Sequence, residues 1–221
     1  MARIARVVAP GYPHHITQRG NRRQATFFRE EDYRLYKQLM AEWCSFHGIA
    51  VWAYCLMPNH VHLIVVPQTE DSLRLAIGEA HRRYTCHINF RENWRGHLWQ
   101  GRFSSYVMDE KYLLAAARYV ELNPVRARLV ADPAEYPWSS ARAHLTGAGD
   151  GLATAEPLLE LVGDWRSFLA SRLPEEEYED LRRHERTGRP LGNIKFTETL
   201  ESGLGKILTP RKGGRPRKQR N

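Results

Sequence analysis

Hydrophobic residues in the first half of the chain recur at two different spacings, and the shorter spacing indicates β-strands. Half-buried strands alternate apolar and polar residues with a period of two. A turn at Met57-Pro58-Asn59 separates two such runs and predicts a hairpin between them. The four predicted strands cover residues 14–18, 49–56, 60–66 and 98–107.

The longer spacing, with apolar residues every three or four positions, predicts helices. Asp71 or Ser72 is expected to cap the second helix, and Asp109 the third. The first six elements match the ferredoxin-like split βαβ pattern. We therefore predict an α+β fold: a ferredoxin-like antiparallel sheet with helices on one face, plus a helical and basic C-terminal extension. The predicted helices cover residues 30–47, 72–90 and 110–122.

The composition changes near residue 147, where a glycine-rich stretch predicts a linker. Net charge is +8, and seven Lys or Arg without any Asp or Glu lie from Lys206 onward, which leaves +1 for the rest of the chain. A basic, Gly- and Pro-rich tail of this kind is typical of disordered arms that bind polyanions. We predict three regions: a main domain at 1–146, a helical extension at 147–208 and a basic DNA-binding tail at 209–221.

Apolar runs and cysteines place limits on the class of protein. No run approaches the ~20 apolar residues needed to span a bilayer, and the N-terminus lacks the apolar segment of a signal peptide. We expect a cytoplasmic protein with no membrane partner. Cys44, Cys55 and Cys86 form no C-x-x-C pair, so reduced thiols are expected rather than a disulfide framework or a zinc site.

Two histidines separated by one hydrophobic residue stand at the start of the third predicted strand. Residues two apart on a strand point to the same face, so His60 and His62 are expected side by side while Val61 faces the core. Two imidazoles on one strand face make half of a metal site. Taken alone, the same pair is compatible with two histidines on a solvated strand face.

A tyrosine and an asparagine on the third predicted helix form a second candidate group. Tyr119 and Asn123 are four residues apart and share one helix face. Tyr112 lies two turns earlier on roughly that face and is a competing candidate nucleophile. A core-packing helix that ends at Asn123-Pro124 is the alternative interpretation.

Together, the two groups resemble the single-tyrosine HUH transposases, with His60-Val61-His62 as the HUH motif (histidine, hydrophobic residue, histidine). In more detail, the chain resembles REP-associated tyrosine transposases, which are related to insertion-sequence transposases. The likeness covers roughly residues 10–145. Four ordered blocks carry it: Thr17-Gln18-Arg19-Gly20-Asn21, Met57-Pro58-Asn59-His60-Val61-His62, Trp99-Gln100-Gly101-Arg102-Phe103 and Tyr119-Val120-Glu121-Leu122-Asn123-Pro124-Val125-Arg126-Ala127.

The resemblance implies transposase activity on single-stranded DNA at repeated extragenic palindromic (REP) hairpins. Tyr119 would attack the scissile phosphate, giving a 5′-phosphotyrosine intermediate and a free 3′-OH that allows rejoining. His60, His62 and Asn123 would bind Mg²⁺ or Mn²⁺ together with phosphate oxygens and water. Many insertion-sequence relatives have Gln where this chain has Asn123. The protein would associate with the nucleoid as a monomer or homodimer.

Basic side chains are the expected contacts to DNA phosphates. The metal, Arg118 or Arg126 is expected to help the Tyr119 phenol lose its proton. Trp99 and Phe103 could stack on bases or belong to the core. Gly214-Arg215-Pro216 resembles an AT-hook core. The candidate DNA-binding residues are Arg19, Arg22, Arg23, Arg102, Arg126, Arg215, Arg217 and Lys218.

Two other functions remain open. One is a DNA-binding regulator of the same fold without turnover, which would bind hairpins whether or not Tyr119 is present. The other is a hydrolase in which His60 and His62 hold a metal that activates water. That enzyme would release a free 5′-phosphate without a covalent adduct.

Overall fold

Four antiparallel strands form a single sheet in the order β2-β3-β1-β4 in the computed structural model, which describes residues 6–171 and 174–209. One helix connects β1 to β2 and another connects β3 to β4, as in the split βαβ pattern, so the predicted ferredoxin-like α+β fold is confirmed. The strands are β1 (His14–Arg19), β2 (Ile49–Met57), β3 (His60–Pro67) and β4 (Ser104–Val107).

Helices make up most of the remaining described chain. Asp109 caps α3 as predicted, because its carboxylate accepts a hydrogen bond from the Tyr112 backbone N–H at 3.0 Å. Asp71 precedes the second helix, but its side chain makes no capping hydrogen bond. The helices are α1 (Glu30–Phe46), α2 (Ser72–Arg91), α3 (Glu110–Glu121), α4 (Asn123–Arg126), α5 (Ala141–Thr146), α6 (Glu156–Val162), α7 (Trp165–Ala170), α8 (Glu175–Thr187) and α9 (Ile194–Leu204).

One face of the sheet, here called the α2 face, packs against α1 and α2. Its strands contribute alternate residues such as Ile16, Leu63 and Val65, which are fully buried among side chains of the two helices. Tyr36 of α1 and Tyr84 of α2 are also fully buried there. This core is predicted by the apolar residues at every second position of the strands and at every third or fourth position of the helices.

The opposite face, here called the α3 face, packs against α3 and helices of the C-terminal extension. Its apolar cluster joins Ile64 and Tyr106 of the sheet to Leu113 of α3, Trp165 of α7 and Leu181 of α8. The two helices of the ferredoxin-like unit thus lie on one face, and the extension adds helices to the other. The division into domains at residue 146 stays a prediction.

The fourth strand is shorter than predicted. Only Ser104–Val107 is paired with β1, whereas residues 98–103 form a turn. The turn contacts the end of β1 through a bridge between Gly20 and Trp99 and a hydrogen bond from the Gln100 N–H to the Arg19 carbonyl at 2.7 Å. The turn arises at Gly101, whose φ of +72° suits glycine and breaks the extended strand. No described helix is long and apolar enough to cross a membrane.

Candidate functional site

The paired histidines of β3 lie on the α3 face, and the neighbouring strand adds a third histidine. His60 and His62 have ring centroids 5.1 Å apart. His15 of β1 stacks on His62 at 5.1 Å with an interplanar angle of 23°. Strand alternation explains the grouping, because β1 and β3 pair with Thr17 opposite His62. His62 is buried and His60 is half-buried, so neither lies on a solvated face.

A chain of hydrogen bonds orients these rings. His62 Nδ1 and His15 Nε2 are 2.9 Å apart, and His15 Nδ1 and the Tyr106 hydroxyl are 2.7 Å apart. His60 Nδ1 donates to Asn59 Oδ1 at 2.6 Å. Because Nδ1 of both β3 histidines has a partner, Nε2 is the atom through which each could bind a metal ion. Such a second partner is the usual arrangement of metal-binding histidines.

Burial keeps these histidines neutral, which is the form that binds metals. Burial lowers the pKa of His15 to about 3. Burial and the Arg19 guanidinium lower the pKa of His60 to about 4. The pKa of His62 lies well below its ordinary value because of burial and the adjacent His15 and His60. The donor chemistry therefore fits a divalent cation with nitrogen ligands.

Helix α3 brings Tyr119 against the histidines. Its ring centroid lies 5.5 Å from that of His62 and 6.2 Å from that of His15. Arg126 stacks its guanidinium over the ring at 4.2 Å and donates to the Tyr119 carbonyl at 2.7 Å. Asn123, one turn later, is buried as the first residue of α4.

Helix α8 covers Tyr119, so only 7% of the tyrosine is exposed. The Tyr178 ring lies 5.2 Å away. Burial and the Glu185 carboxylate raise the pKa of Tyr119, while the Arg126 and Arg182 guanidinium groups oppose that rise. The phenol is therefore protonated and shielded in this arrangement, and a DNA strand would have to displace part of α8 to reach it.

The opposite side of α3 is held by a buried carboxylate. Glu121 is fully buried, and it accepts hydrogen bonds from Ser140 Oγ at 2.5 Å and His144 Nδ1 at 2.6 Å through Oε1. Its Oε2 accepts from Trp165 Nε1 at 2.7 Å. Since Glu121 is the last residue of α3, this cluster fixes the end of the helix that carries Tyr119, two residues before Asn123 begins α4.

The competing groups lie elsewhere. The Tyr112 hydroxyl donates to Asp180 Oδ2 at 2.8 Å, on the α8 side of α3. Arg118 stacks on Phe168 at 4.1 Å, whereas Arg126 is the arginine at the Tyr119 ring.

Three of the predicted DNA-binding arginines, Arg19, Arg23 and Arg102, line cavities at or next to the site. Arg19 and Arg102 line a cavity of about 390 Å³ together with His60 and Glu185, called the His60 cavity below. Arg22 and Arg23 are exposed, in the turn after β1, with left-handed φ values of 54° and 62°. Arg215, Arg217 and Lys218 fall outside the described residues.

Three site residues on the α3 face and two on α8 were not identified from the sequence. His15, Thr17 and Tyr106 alternate along β1 and β4, and the register of the sheet would have identified them. Arg182 and Glu185 of α8 reach the site only through the packing of α8 against α3, which the sequence pattern of α8 does not predict.

Carboxylates are scarce at the candidate metal site. Within residues 6–171 and 174–209, no group of three or more His, Cys, Asp or Glu side chains is placed to hold a metal ion. The two imidazoles of His60 and His62 are fewer ligands than a divalent cation takes, so a metal at this site would draw further ligands from phosphate and water.

Known proteins similar to this chain include transposases. The family model described as "Transposase IS200 like" matches residues 10–123, just over half of the chain. A solved structure of a REP-associated tyrosine transposase bound to a REP hairpin is similar with a TM-score of 0.58 and 19% identity, covering 70% of this chain and 92% of that one. A putative transposase from Deinococcus radiodurans R1 aligns with a TM-score of 0.38 and 21% identity, over 54% of this chain and 96% of that one. No curated protein matches in sequence.

Proposed function

This chain belongs to the IS200-like transposase family and is a DNA transposase, and from that premise we propose its reaction. It nicks and rejoins single-stranded DNA beside a hairpin, in a metal-dependent reaction with a covalent tyrosine intermediate. The hairpins are of the repeated extragenic palindromic class, because the similar solved transposase is bound to a REP hairpin. The protein would act in the cytoplasm, at the nucleoid.

The convergence of Tyr119 with His60 and His62 carries this proposal. The three side chains come from α3 and β3 but meet on one face of the sheet, with the Tyr119 and His62 rings 5.5 Å apart. A phenol nucleophile beside two neutral imidazoles is the set of groups that a phosphotyrosine transfer needs.

Each residue has a distinct task in the proposed reaction. The Tyr119 hydroxyl gives up its proton and its oxygen forms a bond to the scissile phosphorus. The bond from phosphorus to the 3′ oxygen breaks, and that leaving oxygen takes up a proton, so no proton is gained or lost overall. Arg126, stacked on the phenol, favours the phenolate over the neutral ring. The buried Glu121 cluster holds α3 so that Tyr119 keeps its orientation.

The residues for a divalent cation are the Nε2 atoms of His60 and His62 and the amide oxygen of Asn123. Mg²⁺ or Mn²⁺ bound there would neutralise charge on the phosphate oxygens. Imidazole ligands favour Mn²⁺ over Mg²⁺. Arg19 and Arg102 line the cavity beside His60. With Arg22 and Arg23 of the turn after β1 they would contact backbone phosphates, with further contacts from Arg215, Arg217 and Lys218 of the tail.

A covalent-adduct assay tests the proposed reaction. Wild type, Tyr119→Phe and Tyr112→Phe would be incubated with labelled single-stranded REP hairpins and Mn²⁺ or Mg²⁺, then separated on a denaturing gel. We expect an adduct with wild type and Tyr112→Phe that disappears with Tyr119→Phe or with a chelator. Retention of hairpin binding by Tyr119→Phe separates loss of chemistry from loss of folding.

Other outcomes point to the alternative functions. Tight hairpin binding without any adduct would indicate a regulator of the same fold. A free 5′-phosphate product that persists with Tyr119→Phe would indicate water attack by a metal hydrolase. An adduct lost only with Tyr112→Phe would support the proposed reaction but contradict the assignment of Tyr119 as its nucleophile.

A further inference from the structure

A second cavity lies between α2 and the turn before β4, on the other side of β1 from the histidines. It has a volume of about 400 Å³ and is called the α2 cavity here. Its wall includes Trp99 and Phe103, which are 6% and 5% exposed, and His81, which is 5% exposed. A cavity of this size is at the lower end of the range for small-molecule sites.

Three rings of low exposure line the α2 cavity, and the Arg6 guanidinium lies over the Phe103 ring, 3.5 Å from its centroid. The His81 ring lies 5.0 Å from that of Trp99 and 6.1 Å from that of Phe103. Burial and the nearby Arg6 lower the pKa of His81 to about 3, so its ring is uncharged. The indole N–H of Trp99 is buried and has no hydrogen-bond partner among the described residues.

Positive charge surrounds the rings. Arg6, Arg74, Arg82 and Arg102 line the cavity, and no Asp or Glu is among its described lining residues. Arg74 and Arg82 pair with Asp71 and Glu79 on the outer surface of α2. An aromatic floor beneath a cationic rim is the arrangement that binds a nucleobase with its phosphates.

The α2 cavity adjoins the candidate active site. Gln18 and Arg102 line both it and the His60 cavity, so the two cavities share a wall. Gln18 is held in that wall by a hydrogen bond from its side-chain amide to the Gly101 carbonyl at 2.9 Å. A base in the α2 cavity would therefore leave its neighbouring phosphates close to the His60 cavity.

We propose that the α2 cavity binds one unpaired nucleobase of the single strand that enters the site at His60. This inference rests on the proposed single-stranded DNA substrate and adds to it a protein pocket for a base near the cleavage position. The pocket would give the enzyme a base-dependent share of its affinity, beyond its contacts to phosphates.

Gly78 offers a way to fill the cavity without damaging the fold. It lines the cavity from the middle of α2, and a Cβ added there would meet no atom within 4 Å. Glycine is the least favourable residue after proline inside a helix. Gly78→Leu should therefore fold at least as well as wild type while its side chain occupies the cavity. Gly203→Leu in α9 is the matched control, since its Cβ position is equally open.

The test compares four oligonucleotides with equal phosphate charge. Homopolymers of dT, dA or dC and an abasic strand, each of about 12 nucleotides, would be bound to the full chain at about 0.15 M salt. We expect wild type to prefer at least one homopolymer over the abasic strand by roughly tenfold or more, the size of a stacked base. Gly78→Leu should lose roughly tenfold of that preference and Gly203→Leu none, with melting temperatures at or above that of wild type.

The possible failures are distinguishable. A preference that is equal in wild type and Gly78→Leu would overturn the base pocket and leave the proposed DNA substrate intact. Absence of binding to every strand would also overturn the base pocket, while binding and cleavage of REP hairpins would still decide on the proposed substrate. The adduct assay with Tyr119→Phe judges the cleavage reaction independently of the pocket.

Discussion

The α2 face and the α3 face of the sheet are built by the same four strands but from different kinds of residue. On the α2 face, strand positions such as Ile16 and Leu63 are apolar and meet two amphipathic helices. On the α3 face, the neighbouring residues of the same strands, Thr17 and His62, are polar and buried. Adjacent residues of one strand therefore serve the fold and the candidate site in alternation.

Buried histidines occur on both faces, but their partners differ. His14 of the α2 face is held locally, accepting from the Ala9 N–H at 3.1 Å and donating to the Tyr12 carbonyl at 2.8 Å. His62 of the α3 face is linked through His15 to Tyr106, and its Nε2 has no such local role. Burial alone therefore does not identify a functional histidine. The distinguishing feature of His62 is a ring nitrogen without a local structural role, in a ring that lies next to the candidate nucleophile.

The largest expected difference between the faces is in catalysis. In His62→Asn, the side-chain amide takes the place of the ring Nδ1 that contacts His15, but the metal-binding Nε2 is removed. We therefore expect the nicking rate to fall on the order of 100-fold or more. His14→Gln changes an equally buried histidine of the α2 face and should leave the nicking rate of the folded protein within a few-fold. Single-turnover nicking of hairpin DNA measures both. Equal losses of nicking rate in the two variants would contradict the claim that only the α3 face serves catalysis.

Removal of the Glu121 carboxylate should reveal how much stability the polar face contributes. Glu121→Ala leaves Ser140, His144 and Trp165 without their acceptor, and we expect a loss of about 3 kcal/mol in the free energy of unfolding. Glu110→Ala, on the exposed start of the same helix, should cost less than about 1 kcal/mol. Urea denaturation measures both variants. A Glu121→Ala cost as small as that of Glu110→Ala would show that the cluster does not hold α3.

Acid should lower the free energy of unfolding through buried histidines on both faces, and the effect of each histidine should be smaller than that of Glu121→Ala. Burial lowers the pKa of His14 to about 4 and of His15 to about 3, from 6.5 when unfolded. The unfolded chain therefore binds protons that the folded chain does not, and stability present above pH 6.5 is lost as pH falls toward those folded values. Between pH 7 and pH 5 we expect a loss of about 2 kcal/mol for each such histidine. Denaturant midpoints that are unchanged between these pH values would contradict the neutral, buried state.

Much of this contrast could be predicted from the sequence, because strand alternation is local. It placed His60 and His62 on one face and Val61 in the core, and the helical spacing located α1, α2 and α3 within a few residues. The fourth strand was too long in the prediction, because Leu98, Trp99 and Phe103 are buried in a turn as they would be in a strand.

The remaining parts of the site depend on distant contacts. Nothing local distinguishes His15 from His14, since only the pairing of β1 with β3 decides which of them meets His62. The covering of Tyr119 by Tyr178 and Arg182 depends on how α8 packs, far along the chain. The assignments of Tyr119, His60, His62 and Asn123 stay predictions until the reaction is measured.

Peptide mapping of the covalent adduct tests the central assignment most directly. Cleavage after Lys and Arg separates the tyrosines near the site: Tyr119 falls in residues 119–126, Tyr112 in 112–118 and Tyr106 in 103–111, while Tyr178 lies in a peptide that ends at Arg182. After nuclease trimming of the adduct, mass spectrometry should find the residual nucleotide on the peptide 119–126. A nucleotide on any of the other three peptides would contradict the claim that Tyr119, facing the histidines of the α3 face, is the nucleophile.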